Sequence, residues 1–148
     1  MFFNTDDLYN TEIALKLVKT TDENKEKNYV PAYHFDICFL DGTIIGGCDL
    51  RVGHNKNTYY GGNIGYHISE DFRGHGYAKK ASELLFTLAR KHNMEYVIIT
   101  CDPNNIPSYK TCINLGMEFI KNGRIPRSHD LHSRMKKVAI FKKKLIWQ

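Results

Sequence analysis

The most informative part of the sequence is residues 63–78, which read NIGYHISEDFRGHGYA. Residues 63–69 alternate apolar with small or polar side chains, and this period of two predicts a β-strand. Gly74 and Gly76 follow, and glycine permits backbone conformations and close ligand contacts that a side chain would prevent. After Ala78 the apolar residues recur with a helical period. The segment therefore predicts a strand, a glycine turn and the start of a helix.

A glycine turn that leads into a helix favours binding of a phosphate group. The first turn of a helix has N–H groups without partners and carries the positive end of the helix dipole. A nucleotide P-loop would require a Lys-Ser or Lys-Thr pair after the second glycine, and the sequence has none there. A dinucleotide fingerprint would require three spaced glycines and a later acidic residue.

The pattern Arg73-x-x-Gly76-x-Ala78 resembles the pyrophosphate loop of the GNAT N-acetyltransferase superfamily, which reads Arg/Gln-x-x-Gly-x-Gly/Ala. The resemblance continues through CDPNN at 101–105 to Gly116 and covers about residues 61–120. It implies an α/β (α+β) fold with a mixed central sheet of about six or seven strands and flanking helices. Two splayed parallel strands, ending near residues 69 and 101, would form the cleft for acetyl-coenzyme A.

The resemblance also implies which residues hold this cosubstrate. Backbone N–H groups of the glycine loop would bind the pyrophosphate, and Arg73 would add positive charge at the loop entrance. The end of the first strand would offer backbone groups to the pantetheine arm and to the oxyanion of the reaction. The cofactor-binding residues predicted in this way are Tyr66, Ile68, Arg73, Gly74, His75, Gly76, Tyr77, Ala78, Asn105 and Ser108.

The helix after the second cleft strand departs from the family pattern. The family often has Asn-x-x-Ala-x-x-x-Tyr-x-x-x-Gly, and its tyrosine protonates the departing thiolate. Alignment on Asn105 and Gly116 puts Ser108 at the alanine position and Cys112 at the tyrosine position. Tyr109, one helical turn earlier, is a second candidate acid. Cys112 itself could act as a weak acid in place of the tyrosine, as the nucleophile of a ping-pong mechanism, or as a packing residue in the core.

An amine acceptor must lose a proton before it attacks a thioester, so a base or a water chain is required. His67 is the first candidate because it lies on the strand beside the predicted cleft and an unperturbed histidine titrates near neutral pH. Glu70, Asp71 and His54 are alternatives. Surface or structural roles are an alternative interpretation for all of these residues.

The rest of the chain predicts further strands and one more helix. A turn at residues 41–42 would join two strands as a hairpin, and glycines at 46 and 47 indicate a bulge in the second of them. Residues 21–28 are expected to form a loop or a short helix, and 121–136 a long loop; family resemblance suggests another bulge at Gly65. The predicted strands are 12–19, 33–40, 43–52, 58–69, 95–101, 117–121 and 138–146, and the predicted helices are 76–92 and 105–115.

Composition limits the class of protein. With 148 residues, 42% hydrophobic and 25% charged, the chain is expected to form a single N-acetyltransferase domain, residues 1–148. No apolar run is long enough to cross a bilayer, and residues 1–10 lack a basic segment typical of a signal peptide, which predicts a cytoplasmic protein without a membrane partner. The four cysteines have no C-x-x-C spacing, so reduced thiols are expected. No metal is expected, although His129 and His132 lie close to Asp130 in sequence.

The net charge of +5 fits an anionic ligand such as a coenzyme. Nucleic-acid binding is a remote alternative, because the densest basic run, residues 134–144, is better explained as a terminal strand with lysines at its ends. The leading hypothesis is an acetyl-coenzyme A-dependent N-acetyltransferase that transfers directly to a primary amine of a small molecule or peptide. A coenzyme A sensor or catalytically weak relative is the second, suggested by the missing tyrosine. The sequence is also compatible with a homodimer.

Overall fold

The computed structural model describes residues 1–146, and within them the chain forms seven β-strands and three α-helices. Two short 3-10 turns, Glu70–Phe72 and Asp130–Ser133, complete the regular structure of this part. The elements are β1 (Ile13–Thr21), β2 (Ala32–Phe39), β3 (Ile44–Arg51), α1 (Lys56–Gly61), β4 (Ile64–Ile68), α2 (Tyr77–Lys91), β5 (Tyr96–Cys101), α3 (Ile106–Asn114), β6 (Glu118–Arg124) and β7 (Lys137–Lys144).

The strands form two antiparallel sheets, with orders β1-β2-β3-β4 and β5-β7-β6. The predicted α+β class is confirmed. The two sheets meet at Asn63, whose N–H donates to the Ile98 carbonyl (2.7 Å) and whose Oδ1 accepts from the Ile98 N–H (2.8 Å). Asn63 is fully buried, and its Nδ2 also donates to the carbonyls of Arg51 (3.1 Å) and Gly53 (2.7 Å). Asn63 thus hydrogen-bonds the start of β4 to β5, while the two strands belong to separate sheets.

Helices cover both faces of the second sheet. On one face, Val97, Ile99 and Phe141 join the main core with the apolar sides of α2 and α3. On the other face, Ile98 and Ile140 form a smaller cluster with the tyrosines of α1. This alternation along β5 and β7 explains the near-continuous apolar run predicted for a strand that is covered on both sides.

The predicted strand 58–69 is wrong in its first half. Asn55 caps helix α1 there, accepting from the Thr58 N–H (2.9 Å), while the Thr58 hydroxyl accepts from the Asn55 N–H (3.0 Å). This reciprocal capping box stabilises a helix start more strongly than the tyrosines of the segment favour a strand. Strand β4 therefore begins only at Ile64.

The predicted loop 121–136 is shorter than expected, because β6 continues to Arg124. Gly123 pairs with Val138, and a Cβ at Gly123 would lie 2.8 Å from Cδ1 of Ile140. Gly123 therefore lies in a strand, where it allows close packing, and does not form a turn. Residues 22–28 form a loop after β1, and a bulge lies beside Gly46 as predicted.

The bulge expected at Gly65 is absent, since β3 and β4 keep one continuous register from Gly46↔Ile68 to Leu50↔Ile64. The N–H of Gly65 donates to Oδ1 of Asp49 (2.9 Å), and a Cβ at Gly65 would come within 2.9 Å of the same oxygen. Gly65 is required by this carboxylate contact.

Candidate active site

The edge of β4 provides backbone groups on the side where β5 approaches. The Ser69 N–H donates to the Ile45 carbonyl of β3 (2.8 Å). Residues of an antiparallel ladder turn their backbone groups alternately toward and away from the partner strand. Because the Ser69 N–H points toward β3, the N–H groups of Ile68 and Tyr66, one and three residues earlier, point away from β3. They are the amides predicted to lie beside the pantetheine arm and the thioester.

The glycine loop follows β4 and leads into α2. Gly74 (φ +86°) and Gly76 (φ +79°) both have left-handed backbone conformations, and a Cβ on either would meet no protein atom within 4 Å. The Arg73 side chain folds back to the end of β4, where its Nε donates to the Ile68 carbonyl (2.8 Å). The first helical bond runs from the Lys80 N–H to the Gly76 carbonyl (3.1 Å), so the earlier amides of α2 have no helical acceptor. The loop therefore combines open space beside both glycines with N–H groups that have no acceptor within the helix.

The aromatic residues around this loop hold it against the first sheet. Tyr77 and Phe72 both make edge contacts with Phe39, with ring centroids 5.4 Å apart in each case. His75 is exposed and lies 5.8 Å from the Tyr77 ring. The first turn of α2 is therefore anchored by Tyr77, while Gly74, His75 and Gly76 remain at the surface.

Helix α3 forms the opposite wall of the cleft. Asn105 caps it, since its side chain accepts from the Ser108 N–H (3.3 Å). The Ser108 hydroxyl is 2.8 Å from the Tyr66 hydroxyl, a hydrogen bond that joins α3 to β4 across the gap between the sheets. Cys112, one turn further along α3, is fully buried.

Tyr66, Ser108, Cys101 and Cys112 form one polar cluster in this gap. Burial raises the pKa of Tyr66 to about 12, and the hydrogen bond between Tyr66 and Ser108 opposes the shift. Burial likewise raises the pKa of the Cys112 thiol to about 12, partly offset by its contact with Tyr66. Both groups therefore hold their protons through the neutral range. Sequence reasoning assigned Tyr66 only a backbone role and missed its hydroxyl. The cysteine at position 112, where the family pattern has a tyrosine, was the one available signal.

The other predicted catalytic residues lie at different places. The Tyr109 ring packs edge-on against Phe141 (5.0 Å between centroids) and also against Phe119 (6.1 Å). His67 is exposed on the face of β4 opposite Tyr66, and its ring lies over Gly47, where a Cβ would be 2.7 Å from its Cε1.

The alternative bases are also dispersed. Glu70 and Asp71 are exposed in the 3-10 turn after β4. His54 stacks on Tyr96 at 3.9 Å, and burial lowers its pKa. Of these candidates, only His67 lies on β4 itself, between Tyr66 and Ile68.

The histidines near residue 130 have structural contacts. His129 Nε2 lies 3.0 Å from the Asn57 carbonyl, and His132 contacts the Lys136 ammonium. Within residues 1–146, no three His, Cys, Asp or Glu side chains are grouped as metal ligands would be. In the same part of the chain, no helix is long and apolar enough to cross a membrane.

The separated strands, the glycine loop and the free helix start are together typical of an acyltransferase fold. A family model described as an acetyltransferase (GNAT) domain matches residues 3–118, which is more than half of the chain. The chain therefore belongs to the GNAT acetyltransferase family.

Individual relatives agree with this family. A curated relative, the uncharacterized N-acetyltransferase YnaD of Bacillus subtilis (strain 168), is 32% identical over 77 residues, which are 47% of this chain and 44% of the relative. The chain thus spans less than half the length of this relative.

Solved structures share the fold at low identity. RimL, a ribosomal L7/L12 alpha-N-protein acetyltransferase solved with coenzyme A in a disulfide, aligns with a TM-score of 0.64 and 15% identity over 91% of this chain and 95% of its own. A GNAT-family acetyltransferase from Bacillus anthracis gives 0.61 and 18% over 76% and 66%. The microcin C7 self-immunity acetyltransferase MccE, solved with acetyl-CoA and AMP, gives 0.59 and 21% over 81% and 62%. At such identities these likenesses establish the fold alone.

Proposed function

We propose that this chain is an acetyl-coenzyme A-dependent N-acetyltransferase that moves the acetyl group directly from the thioester to a primary amine. One observation carries the proposal: Gly74 and Gly76 have left-handed conformations with open space beside them, at the start of a fifteen-residue helix whose first amides are unpaired. A diphosphate needs such a set of N–H donors and such room. The net charge of +5 favours an anionic cosubstrate in addition.

The proposed binding residues follow the course of the cleft. The amides of residues 74–78 hold the diphosphate, with the guanidinium of Arg73 nearby. The β4 amides of Tyr66 and Ile68 bind the pantetheine arm and the thioester oxygen, where they stabilise the negative charge that develops as the amine attacks. Asn105 and Ser108 border the cleft from α3.

We assign protonation of the leaving thiolate to Tyr66, in place of Tyr109 or Cys112. Its hydroxyl reaches from β4 to Ser108 and lies beside Cys112, the position at which the family pattern has its tyrosine. The pKa values of Tyr66 and of the neighbouring thiol are both raised to about 12 by the same burial. Burial in the same gap would also raise the proton affinity of a departing thiolate, which favours its protonation by a neighbouring hydroxyl.

The balanced reaction needs two proton movements. A nitrogen–carbon bond forms as the carbon–sulfur bond breaks, the amine loses a proton to a base or water, and the sulfur receives one from Tyr66. Calorimetric titration with acetyl-coenzyme A, followed by a free-thiol release assay over a panel of amines, tests the function. Tight binding without thiol release from any amine would favour the second candidate, a coenzyme A sensor, which the cysteine at position 112 suggests.

We expect His67→Ala to lower turnover at neutral pH by about tenfold, less than the usual ~10²–10⁴ for a base, because water reaches the exposed ring. Affinity for acetyl-coenzyme A should stay constant, since His67 lies on the face of β4 opposite Tyr66. The pH dependence of kcat distinguishes the roles, and Glu70→Gln tests the first alternative base in the same way. An unchanged pH–rate profile would transfer the role to Glu70, Asp71, His54 or water.

We expect Cys112→Ala to keep most of the turnover, because direct transfer needs no acyl-enzyme and Cys112 holds its proton in the neutral range. The wild-type protein mixed with acetyl-coenzyme A in the absence of acceptor should keep its mass in intact-protein mass spectrometry. A gain of one acetyl group on Cys112, together with an inactive alanine variant, would establish a ping-pong mechanism instead.

A further inference from the structure

The hydroxyl of Ser108 contacts the proposed acid in the gap between the two sheets. Its Oγ lies 2.8 Å from the Oη of Tyr66, and both side chains are only partly exposed to water. The family pattern has an alanine at position 108 and a tyrosine where this chain has Cys112. Both departures from the pattern therefore lie beside the same phenol, and only one of them, the serine, adds a hydrogen-bond donor to it.

The direction of this hydrogen bond follows from the protons that the neighbouring hydroxyls have available. A hydroxyl donates one proton and accepts at two lone pairs. Thr111, which also contacts the Tyr66 hydroxyl, donates its own proton to the Pro107 carbonyl (3.0 Å), so it can only accept from Tyr66. Tyr66 has a single proton, and the reaction requires that proton for the departing sulfur. Ser108 is therefore the side chain that is placed to donate to the Tyr66 oxygen.

The other neighbour of Ser108 supports the same direction. The Ser108 hydroxyl also contacts the thiol of Cys101, the last residue of β5. Burial raises the pKa of this thiol, so the thiol keeps its proton at neutral pH and can donate it to the Ser108 oxygen. Donors then follow one another from Cys101 through Ser108 to Tyr66. This order leaves the proton of Tyr66 free to point into the cleft.

A donor at the Tyr66 oxygen acts most strongly when the phenol gives up its proton. A hydrogen bond to an ionised oxygen is about twice as strong as one between neutral groups. The Ser108 bond accordingly lowers the pKa of Tyr66, against the larger effect of burial. An interaction that strengthens only in the transition state raises kcat and leaves the binding of acetyl-coenzyme A unchanged.

We propose that Ser108 is a positioning residue for the proton donor: its hydroxyl donates to the Tyr66 oxygen and stabilises the phenolate that remains after proton transfer. The inference rests on the proposed acetyl transfer and adds a residue to its mechanism. As the carbon–sulfur bond breaks, the sulfur takes the proton of Tyr66 and the phenolate keeps the Ser108 hydrogen bond. The amine gives one proton to a base or water, and the phenolate takes one back from water, so protons and charge balance over the cycle.

Threonine and valine at position 108 form the matched pair that tests this role, because they have nearly the same shape and only threonine keeps a hydroxyl. We expect kcat for thiol release to be about tenfold lower in Ser108→Val than in Ser108→Thr, as for a lost hydrogen bond to a charged group. The affinity for acetyl-coenzyme A in calorimetric titration should be the same in both variants. Equal kcat values in the two variants, at whatever level, would overturn the inference.

A second experiment separates this role from a bond that only joins β4 to α3. Fluorine withdraws electron density, so 3,5-difluorotyrosine in place of Tyr66 is a stronger acid that depends less on a donor. It should restore most of the kcat lost in Ser108→Val, and a failure to restore any would overturn the inference in favour of a structural bond. Ser82→Ala removes another buried serine hydroxyl, bonded to the Ala78 carbonyl within α2 (2.8 Å), and should keep the wild-type kcat.

The Tyr66→Phe background shows whether Ser108 acts through the phenol. Without the Tyr66 hydroxyl, the threonine and valine variants should have the same kcat, and a remaining tenfold difference would overturn the inference. An active wild-type enzyme with equal threonine and valine variants would refute the role of Ser108 alone. A wild-type protein that binds acetyl-coenzyme A and releases no thiol with any amine would refute the acetyl transfer, and with it the role of Ser108.

Discussion

Gly76→Val should weaken acetyl-coenzyme A binding by about tenfold, or about 1.4 kcal/mol, in calorimetric titration. Gly76 has φ +79° and ψ 17° just before α2, a conformation that a β-branched residue adopts only with strain. Its Cβ position meets no protein atom, so the valine side chain would extend into the space proposed for the diphosphate. Both effects act on the ligand or on the amides that bind it.

Gly42→Val is the matched control for this variant. Gly42 has φ +96° in the turn between β2 and β3, and a Cβ there also meets nothing within 4 Å. The control imposes a similar backbone strain away from the cleft, so it should lower the melting temperature without changing the affinity. A folded Gly76→Val protein with wild-type affinity would remove the central argument for coenzyme binding at this loop.

The parts of the fold that could be predicted are those that depend on local pattern. The strand, glycine turn and helix between residues 63 and 91 follow from a change of apolar period and from two glycines, which are properties of neighbouring residues. The sequence predicted a strand in place of helix α1, because aromatic residues such as those of α1 are common in strands. The pair Asn55 and Thr58 was a readable capping signal that outweighed them.

Features that depend on distant contacts could not be predicted in this way. The place where the two sheets meet depends on the Asn63 side chain, which satisfies the backbone of Ile98, 35 residues away. The hydrogen bond of Tyr66 with Ser108 spans 42 residues. The alternation along β4 indicates that the Tyr66 side chain is on the core side of the sheet. It does not indicate that the hydroxyl reaches α3 through the gap between the two sheets. A pocket lined by Tyr29, His34 and Asp130 likewise arises from two loops that are far apart in sequence.

The position of Cys112 shows how a departure from the family pattern acquires a physical meaning. A cysteine on α3 is shorter than a tyrosine and leaves room beside Ser108. In this chain the ring of Tyr66 enters that region from β4, so a phenol hydroxyl is present there although position 112 of the helix is a cysteine. A general acid must have its hydroxyl at the right position, whichever element of the chain supplies it.

Tyr66→Phe is therefore expected to lower kcat by about 10²-fold, within the range of a lost general acid, with little change in acetyl-coenzyme A affinity. The ring and its packing are kept, and the lost group is the hydroxyl beside Cys112. Some loss of stability should accompany it, about 1 kcal/mol, since Ser108 loses its hydrogen-bond partner. Steady-state thiol release and calorimetric titration on the folded variant measure the two effects separately.

Tyr109→Phe is the control that decides which tyrosine is the acid. It removes a hydroxyl from a ring that packs on Phe119 and Phe141, so it should leave kcat within about twofold of the wild type, as expected for a residue outside the proton transfer. If Tyr109→Phe lost activity and Tyr66→Phe kept it, the assignment would reverse and Tyr66 would serve only to close the gap between β4 and α3. Equal retention in both variants would make water the proton donor. The opposite pattern, loss with Tyr66→Phe alone, is the one that a hydroxyl held 2.8 Å from Ser108 beside the buried Cys112 thiol leads us to expect.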